Sequence, residues 1–337
     1  MAEDKKEIPE DEEQPADQAE EAEEGEESPE EGEPEEGAAD ADEEDEEGEG
    51  RSLVHRATGP ISKQGGTLTT GALERMLLAE FPAADAEPWD RTGMTVGDPA
   101  RPVTGVAVAL DPTVEAIREA AHFGANVLVT HHPAYREAPD SFRPGDSVAE
   151  NPGAGVWCAI EEGVSLMSFH TALDVSARAQ RVLPNMLSLV FERVLVPLEE
   201  APEKGYGQLC SCALGDSLKL GQLAARCMSV FGRPPRVWGD FSRKLDRVVT
   251  CTGSAGDVAK AALAAHADCL VCGEIKYHDA LDLSQAGLAI VELGHDVSEL
   301  PLAVELADVV RDMGVPDECV TLIDQGENWS YPETVRM

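Results

Sequence analysis

Two adjacent histidines, His131 and His132, follow the apolar run Asn126-Val127-Leu128-Val129-Thr130 and are closed off by Pro133. The β-branched run suits a buried strand, and the proline ends it. Neighbouring side chains on a strand point to opposite faces, but a chain that turns at the carboxyl end can aim both imidazoles into one crevice. Two further pieces have the same character. His170-x-x-x-Asp174 follows an expected strand at Val164–Ser168, and His295-x-x-x-Glu299 follows one at Ala289–Leu293. On a helix starting at or before Gly294, that spacing puts His295 and Glu299 on one face. Mixed imidazole and carboxylate donors suit zinc, iron or manganese better than calcium or magnesium. One tetrahedral ion takes three or four protein ligands; the three pieces offer more, which fits two ions with open water positions. Such paired ions acidify water and polarise a substrate oxygen, which favours hydrolysis, with redox chemistry open if the metal is iron. Each pattern alone is commonplace on solvated surfaces. Their joint occurrence after three separate strands is what points to a metal.

The elements that must position these residues are legible in the same stretch. Leu68–Phe81 has helical apolar spacing with Thr67 as a cap, Val103–Leu110 alternates as a strand, and Thr113–Phe123 reads as a helix after Asp111-Pro112. Asn126–Thr130 is the next strand. A polar loop over 135–155 leads to a helix at Val156–Glu162 and the strand Val164–Ser168. Further on come a helix at Lys219–Phe231, strands at Arg236–Gly239, Arg247–Cys251 and Cys269–Cys272, and a helix at Asp257–Ala267. Ala289–Leu293 is the last core strand, before a final helix at Leu300–Met313. Strand–helix alternation implies parallel pairing with helices on the faces, so the fold class is α/β. Every cluster of titratable residues then lies just past the carboxyl end of a strand, the side on which open α/β sheets bind ligands.

Charge divides the chain unevenly. Residues 1–50 hold 27 Asp and Glu against two Lys, a charge of −25 out of the total of −40, which leaves −15 for the rest. A segment this poor in large apolar groups cannot offset its ordering entropy, so residues 1–64 read as a disordered acidic tail and linker. The body, residues 65–337, reads as two α/β lobes at about 65–198 and 199–337. The absence of a basic stripe argues against direct nucleic-acid binding. No apolar run is long enough for a membrane span, and no secretory leader is visible, so a cytoplasmic protein is expected. Of the eight cysteines, Cys269 and Cys272 have CxxC spacing, but they fall within an expected strand and read as reduced core residues.

The chain resembles the NIF-three-like dinuclear-metal family, also named GTP cyclohydrolase 1 type 2 homologues. Carrying the resemblance are Trp89-Asp90-Arg91-Thr92-Gly93-Met94 with Val96-Gly97-Asp98, Val108-Ala109-Leu110-Asp111, Thr130-His131-His132-Pro133 and Ser168-Phe169-His170-Thr171-Ala172-Leu173-Asp174. Gly205-Tyr206-Gly207, Thr252-Gly253-Ser254-Ala255-Gly256, Gly273-Glu274-Ile275-Lys276-Tyr277-His278-Asp279-Ala280 and Gly294-His295 follow in order. The resemblance implies a two-lobed α/β fold, with mixed or parallel sheets flanked by helices, assembling into a ring-shaped homohexamer. It implies two divalent ions in each inter-lobe cleft, held by His131, His132, Asp174, His295 and Glu299, with His170 as an additional site residue. The activity implied is that of a metal-dependent hydrolase acting through metal-bound hydroxide on a nucleotide or phosphorylated small molecule, as in opening of the imidazole ring of GTP. A phosphoesterase would use the same ions, and a non-catalytic metal-binding or partner-binding scaffold would need the same ligands.

Other residues extend the candidate site. Glu274 and His278 could move protons near the ions, His278 being the better shuttle. Gly253, Ser254 and Gly256, between a strand and a helix, could present backbone N–H groups to an anion, though a tight turn needs the same glycines.

Overall fold

The computed structural model describes residues 59–63, 66–149, 151–212, 218–326 and 328–329. The acidic tail expected over 1–64 therefore lies almost wholly outside the described residues. Two sheets organise the remainder. The first has five strands in the order Val320–Leu322, Val106–Ala109, Val127–Thr130, Ser165–Ser168 and Gly93–Val96. All neighbours are parallel except the last pair. Both faces are covered, and the alternation of side chains shows it. Val106, Val108, Val127 and Val129 pack into one apolar cluster, while Ala107, Ala109 and Leu128 pack into another on the opposite face.

The second sheet has six strands in the order Arg236–Trp238, Ala289–Glu292, Cys269–Glu274, Arg247–Ser254, Gly205–Cys212 and Leu189–Pro197. Its centre is parallel and its flanks antiparallel. The hairpin of 189–197 and 205–212 has no clean apolar signal along its outer strand, where Glu192 and Arg193 split two apolar runs and much of the surface is exposed. The second sheet thus begins upstream of Glu199. Cys269 and Cys272 pack into clusters on opposite faces of this sheet, so they cannot converge on one ion, and burial pushes both thiols well above their ordinary range.

The helix His295–Asp312 sits between the sheets. Its Val297 joins the core of the second sheet, and Leu302, Leu306 and Val310 join that of the first. It starts earlier than the expected Leu300, because Pro301 lies inside it. Proline removes one donor and crowds the preceding turn, so the sequence suggests a start beside it; here the helix continues through it to reach the site. Other ends shift by a few residues. Thr69, rather than Thr67, caps the helix Thr70–Glu80, its side chain accepting from the Ala72 N–H, while Thr67 pairs with Ser62 in a short strand. Thr113 caps Val114–Phe123 in the same manner.

Truncating Leu302, fully buried between the helix and the first sheet, opens a cavity that the surrounding strands cannot fill. Leu302→Ala is expected to cost about 2–5 kcal/mol of stability, read as a lowered urea midpoint with unchanged slope; a change below about 1 kcal/mol would show that this contact is not part of a close-packed core.

Candidate metal centre

The strand Val127–Thr130 delivers His131 and His132 together because pairing continues past its end. The His131 N–H donates to Ala109 O (3.3 Å) and the His132 N–H to Leu110 O (2.9 Å), which holds both residues against the neighbouring strand. Thr130 Oγ1 donates to His132 O at 2.6 Å and tightens the turn. After Ser165–Ser168, a short helical turn at Thr171–Asp174 carries Asp174 back over the sheet edge. His295 opens the helix between the sheets, and Glu299 lies one turn further along the same face.

These side chains meet. His131 Nε2 lies 3.6 Å from Asp174 Oδ1 and 3.7 Å from Glu299 Oε1. Glu299 Oε2 lies 3.0 Å from both His132 Nε2 and His295 Nε2. The His170 ring centroid is 5.1 Å from that of His131 and 5.3 Å from that of His132. Three overlapping groups place their ligand atoms within 4.8 Å of one another: His131, Asp174 and Glu299; His132, His295 and Glu299; and His131, His132 and His170. His131 is fully buried and the Glu299 side chain is only 4% exposed.

The donor set fits a cation on a structural observation. Both ring nitrogens of His131, Nδ1 of His170, Oδ1 of Asp174 and Oε2 of Glu299 are buried with no hydrogen-bond partner. Glu299 Oε2 is close to two imidazole nitrogens yet is in hydrogen-bond alignment with neither. Unpartnered buried polar atoms are costly, and converging ones mark a place for an ion. The electrostatics agree. Burial opposes charge on Glu299, but contact with His131, His132 and His295 holds its carboxyl well below the usual range. Burial pushes Asp174 up to about 6 against the pull of His131. The Glu299 contact, reinforced by Glu274, raises His295 to about 9, and burial of His132 is overridden by Asp111 and Glu299, which raise it to about 10.

A second ring of residues fixes the imidazoles. His132 Nδ1–H donates to Asp111 Oδ1 at 2.7 Å, and His295 Nδ1 lies 3.0 Å from Glu274 Oε1, so each histidine turns Nε2 towards Glu299. Asp111 is itself held in place: Gln325 Oε1 accepts from the N–H groups of Leu110 and Asp111, and Gln325 Nε2 donates to Asp111 O. Asp90 plays the corresponding part for His170, with Oδ1 3.5 Å from Nδ1, and Thr171 donates twice to its other oxygen. Those contacts overcome burial and hold Asp90 low. In the sequence Asp111 stands out as the start of a helix and the end of the motif Val108-Ala109-Leu110-Asp111, with no sign that it would face His132. The available signal was register: Ala109 pairs with Thr130 in parallel, so residues following the two strands stand side by side.

The outer candidates separate. Glu274 is beside His295, but His278 is exposed on the next helix, its ring 5.3 Å from that of Tyr277, and does not line the cleft. The helix from Tyr277 turns it away from the strand ends. At the expected anion turn, the Gly253 N–H donates to Ser298 Oγ (2.8 Å) and the Ala255 N–H to Glu274 O (2.9 Å), so these donors are already engaged. Ser254 and Gly256 line the cleft. The need for glycine at 253 is steric: its φ is +56°, and a Cβ there would run into Glu299 Oε1.

The family Duf34/NIF3 (NGG1p interacting factor 3) matches residues 68–324. A Streptomyces coelicolor protein named GTP cyclohydrolase 1 type 2 homolog is 31% identical over 232 residues, covering 66% of this chain and 79% of its own. A Clostridium perfringens protein of the same name is 27% identical, covering 67% and 85%. Among solved structures, a hypothetical protein of Staphylococcus aureus is similar with a TM-score of 0.70 and 23% identity, covering 78% of this chain and 99% of that one. A Bacillus cereus protein related to NIF3 gives 0.66 at 19% identity, covering 76% and 96%. The chain belongs to the Duf34/NIF3 family.

Asp111→Ala removes the group that orients His132 and leaves every candidate ligand in place. It is expected to weaken zinc binding about 10–100-fold in competition with a chromophoric chelator, and unchanged affinity would show that the contact does not serve the metal. Gly253→Ala, by displacing Glu299, is expected to reduce bound metal per chain on elemental analysis; a full complement would show that the carboxylate is not held against this turn.

Proposed function

We infer that this member of the Duf34/NIF3 family is a divalent-metal-dependent hydrolase of a nucleotide or phosphorylated compound, with two divalent ions per subunit. The observation that carries the reading is the division of the Glu299 carboxylate, with Oε1 towards His131 and Oε2 towards His132 and His295. His131, Asp174 and Glu299 would hold one ion, and His132, His295 and Glu299 the other. Zinc, iron and manganese are the ions such donors suit. The shared name of the curated relatives supports the hydrolytic direction. When bound, the cations supply Lewis acidity that acidifies water and polarises a substrate oxygen.

The protein's own groups do the rest. Asp111 and Glu274 hold the Nδ1 atoms of His132 and His295, which keeps both Nε2 atoms on the ligand side. His170 lines the cleft beside the cluster with Asp90 behind Nδ1, so it is better placed than His278 to move a proton at the remaining ring nitrogen. The same reading includes cytoplasmic location, a homohexameric ring, and two lobes at about 65–198 and 199–337.

The test is turnover by the full chain, purified and loaded with zinc or manganese, offered GTP with formate release as the readout and a bis-aryl phosphodiester with phenolate release. Conversion of at least one, lost in His131→Ala and on chelation and restored by added metal, is the expected result. Conversion of the diester alone would identify a phosphoesterase. A fully metallated protein that turns over neither would overturn the hydrolase reading in favour of a metal-binding scaffold.

A further inference from the structure

The cleft that reaches the metal ligands encloses about 650 Å³, within the range of small-molecule sites, and its outer end is built differently from its floor. Trp89 stands there with 47% of its surface exposed, an unusual outlay for the largest apolar side chain. It is braced rather than loose. The His170 ring meets it edge-on, with centroids 5.6 Å apart and planes at 68°, and the Arg136 guanidinium lies 5.2 Å from its centroid. The Arg136 backbone is tied in turn, its carbonyl accepting from Arg91 Nε at 3.0 Å. A rigid indole face beside a guanidinium, next to the chemistry, is a platform for a planar ring.

Charge then limits what the ring carries. Among the described residues lining this cleft, Arg136 is the one lysine or arginine. Glu87 and Asp257 stand on the walls outside the metal-ligand set, and Glu87 is fixed there by the Tyr206 hydroxyl, which donates to Oε1 at 3.2 Å. At this end of the cleft one cation flanked by two carboxylates can neutralise a single anionic group. Gln208, its Oε1 held by Thr250 at 2.7 Å, and the backbone of the turn at Thr252–Ser254 supply polar wall for the edge of a heterocycle.

We propose that Trp89 and Arg136 form the substrate-recognition end of the cleft, Trp89 taking a heteroaromatic ring of the nucleoside or nucleotide class and Arg136 an anionic group carried by it. The proposal rests on the hydrolase reading for the location of the chemistry, but it concerns binding and is tested without turnover. The probes are guanosine, GMP and ribose 5-phosphate, titrated calorimetrically into the zinc-loaded full chain. GMP is expected to bind more tightly than guanosine and at least about tenfold more tightly than ribose 5-phosphate. Trp89→Ala is expected to weaken guanosine and GMP about tenfold or more, the scale of one base–aromatic stack, and Trp89→Phe to restore most of it. Arg136→Ala is expected to abolish the preference for GMP over guanosine while sparing guanosine. Both positions are exposed, so the variants should retain metal content and fold, which elemental analysis and circular dichroism check. Ribose 5-phosphate binding as tightly as GMP, or a Trp89→Ala variant that binds every probe like the parent chain, overturns the proposal, as does a change confined to assembly size. Trp89-dependent binding of GMP in a protein that converts no substrate would sustain it while the hydrolase reading fails.

Discussion

A carboxylate buried among imidazoles governs this structure. Glu299 is almost excluded from water, and an isolated charge so placed would cost several kcal/mol. Groups that can offset its charge must surround it, and the imidazoles of His131, His132 and His295, from two separate segments, do so. Carboxylate contacts in turn raise His132 and His295 above the usual imidazole range. A divalent ion answers the same electrostatic demand and also engages the buried atoms that hydrogen bonds leave unpartnered. The cluster is therefore organised for positive charge, and the fold around it follows from holding its members in place.

Both sheets contribute through the same geometrical device. Parallel strands release their chains at one edge, so residues following adjacent strands become neighbours however far apart they are in sequence. Asp111 and the His131–His132 pair are brought together by this means within the first sheet. Glu274 meets His295 in the same way across the 269–274 and 289–292 strands of the second. The helix from His295 then spans the gap between the sheets, and its apolar residues join both cores. Metal ligands and core packing share that helix, which couples the stability of the body to the placement of Glu299.

The clearest contrast lies between the interior of the cluster and its approaches. The candidate ligands are readable from residue type and spacing, because a strand end followed by histidine, or a four-residue spacing on a helix, is a local pattern. Their supports were not. Gln325 reaches the loop of Asp111 from the far end of the chain, and Asp90 reaches His170 from before the His131–His132 pair. His278 follows a strand as the candidate ligands do, yet it is exposed and is not among the residues lining the cleft. The 189–197 strand escaped notice because its exposed, charged residues break the apolar pattern, although its pairing partner extends the second sheet.

Local chemistry therefore determined the α/β class, most helices and strands, the acidic imbalance of the first residues, and the side chains able to bind a metal. Periodicity, capping and donor type are properties of short segments, and a sequence carries them openly. Tertiary structure decided which of those donors share an ion-sized space, which carboxylates orient them, and that Gly253 is needed to make room for Glu299. These depend on strand order and on the angle at which a helix leaves a sheet. Both are set by packing between distant segments, so no single stretch of the chain records them.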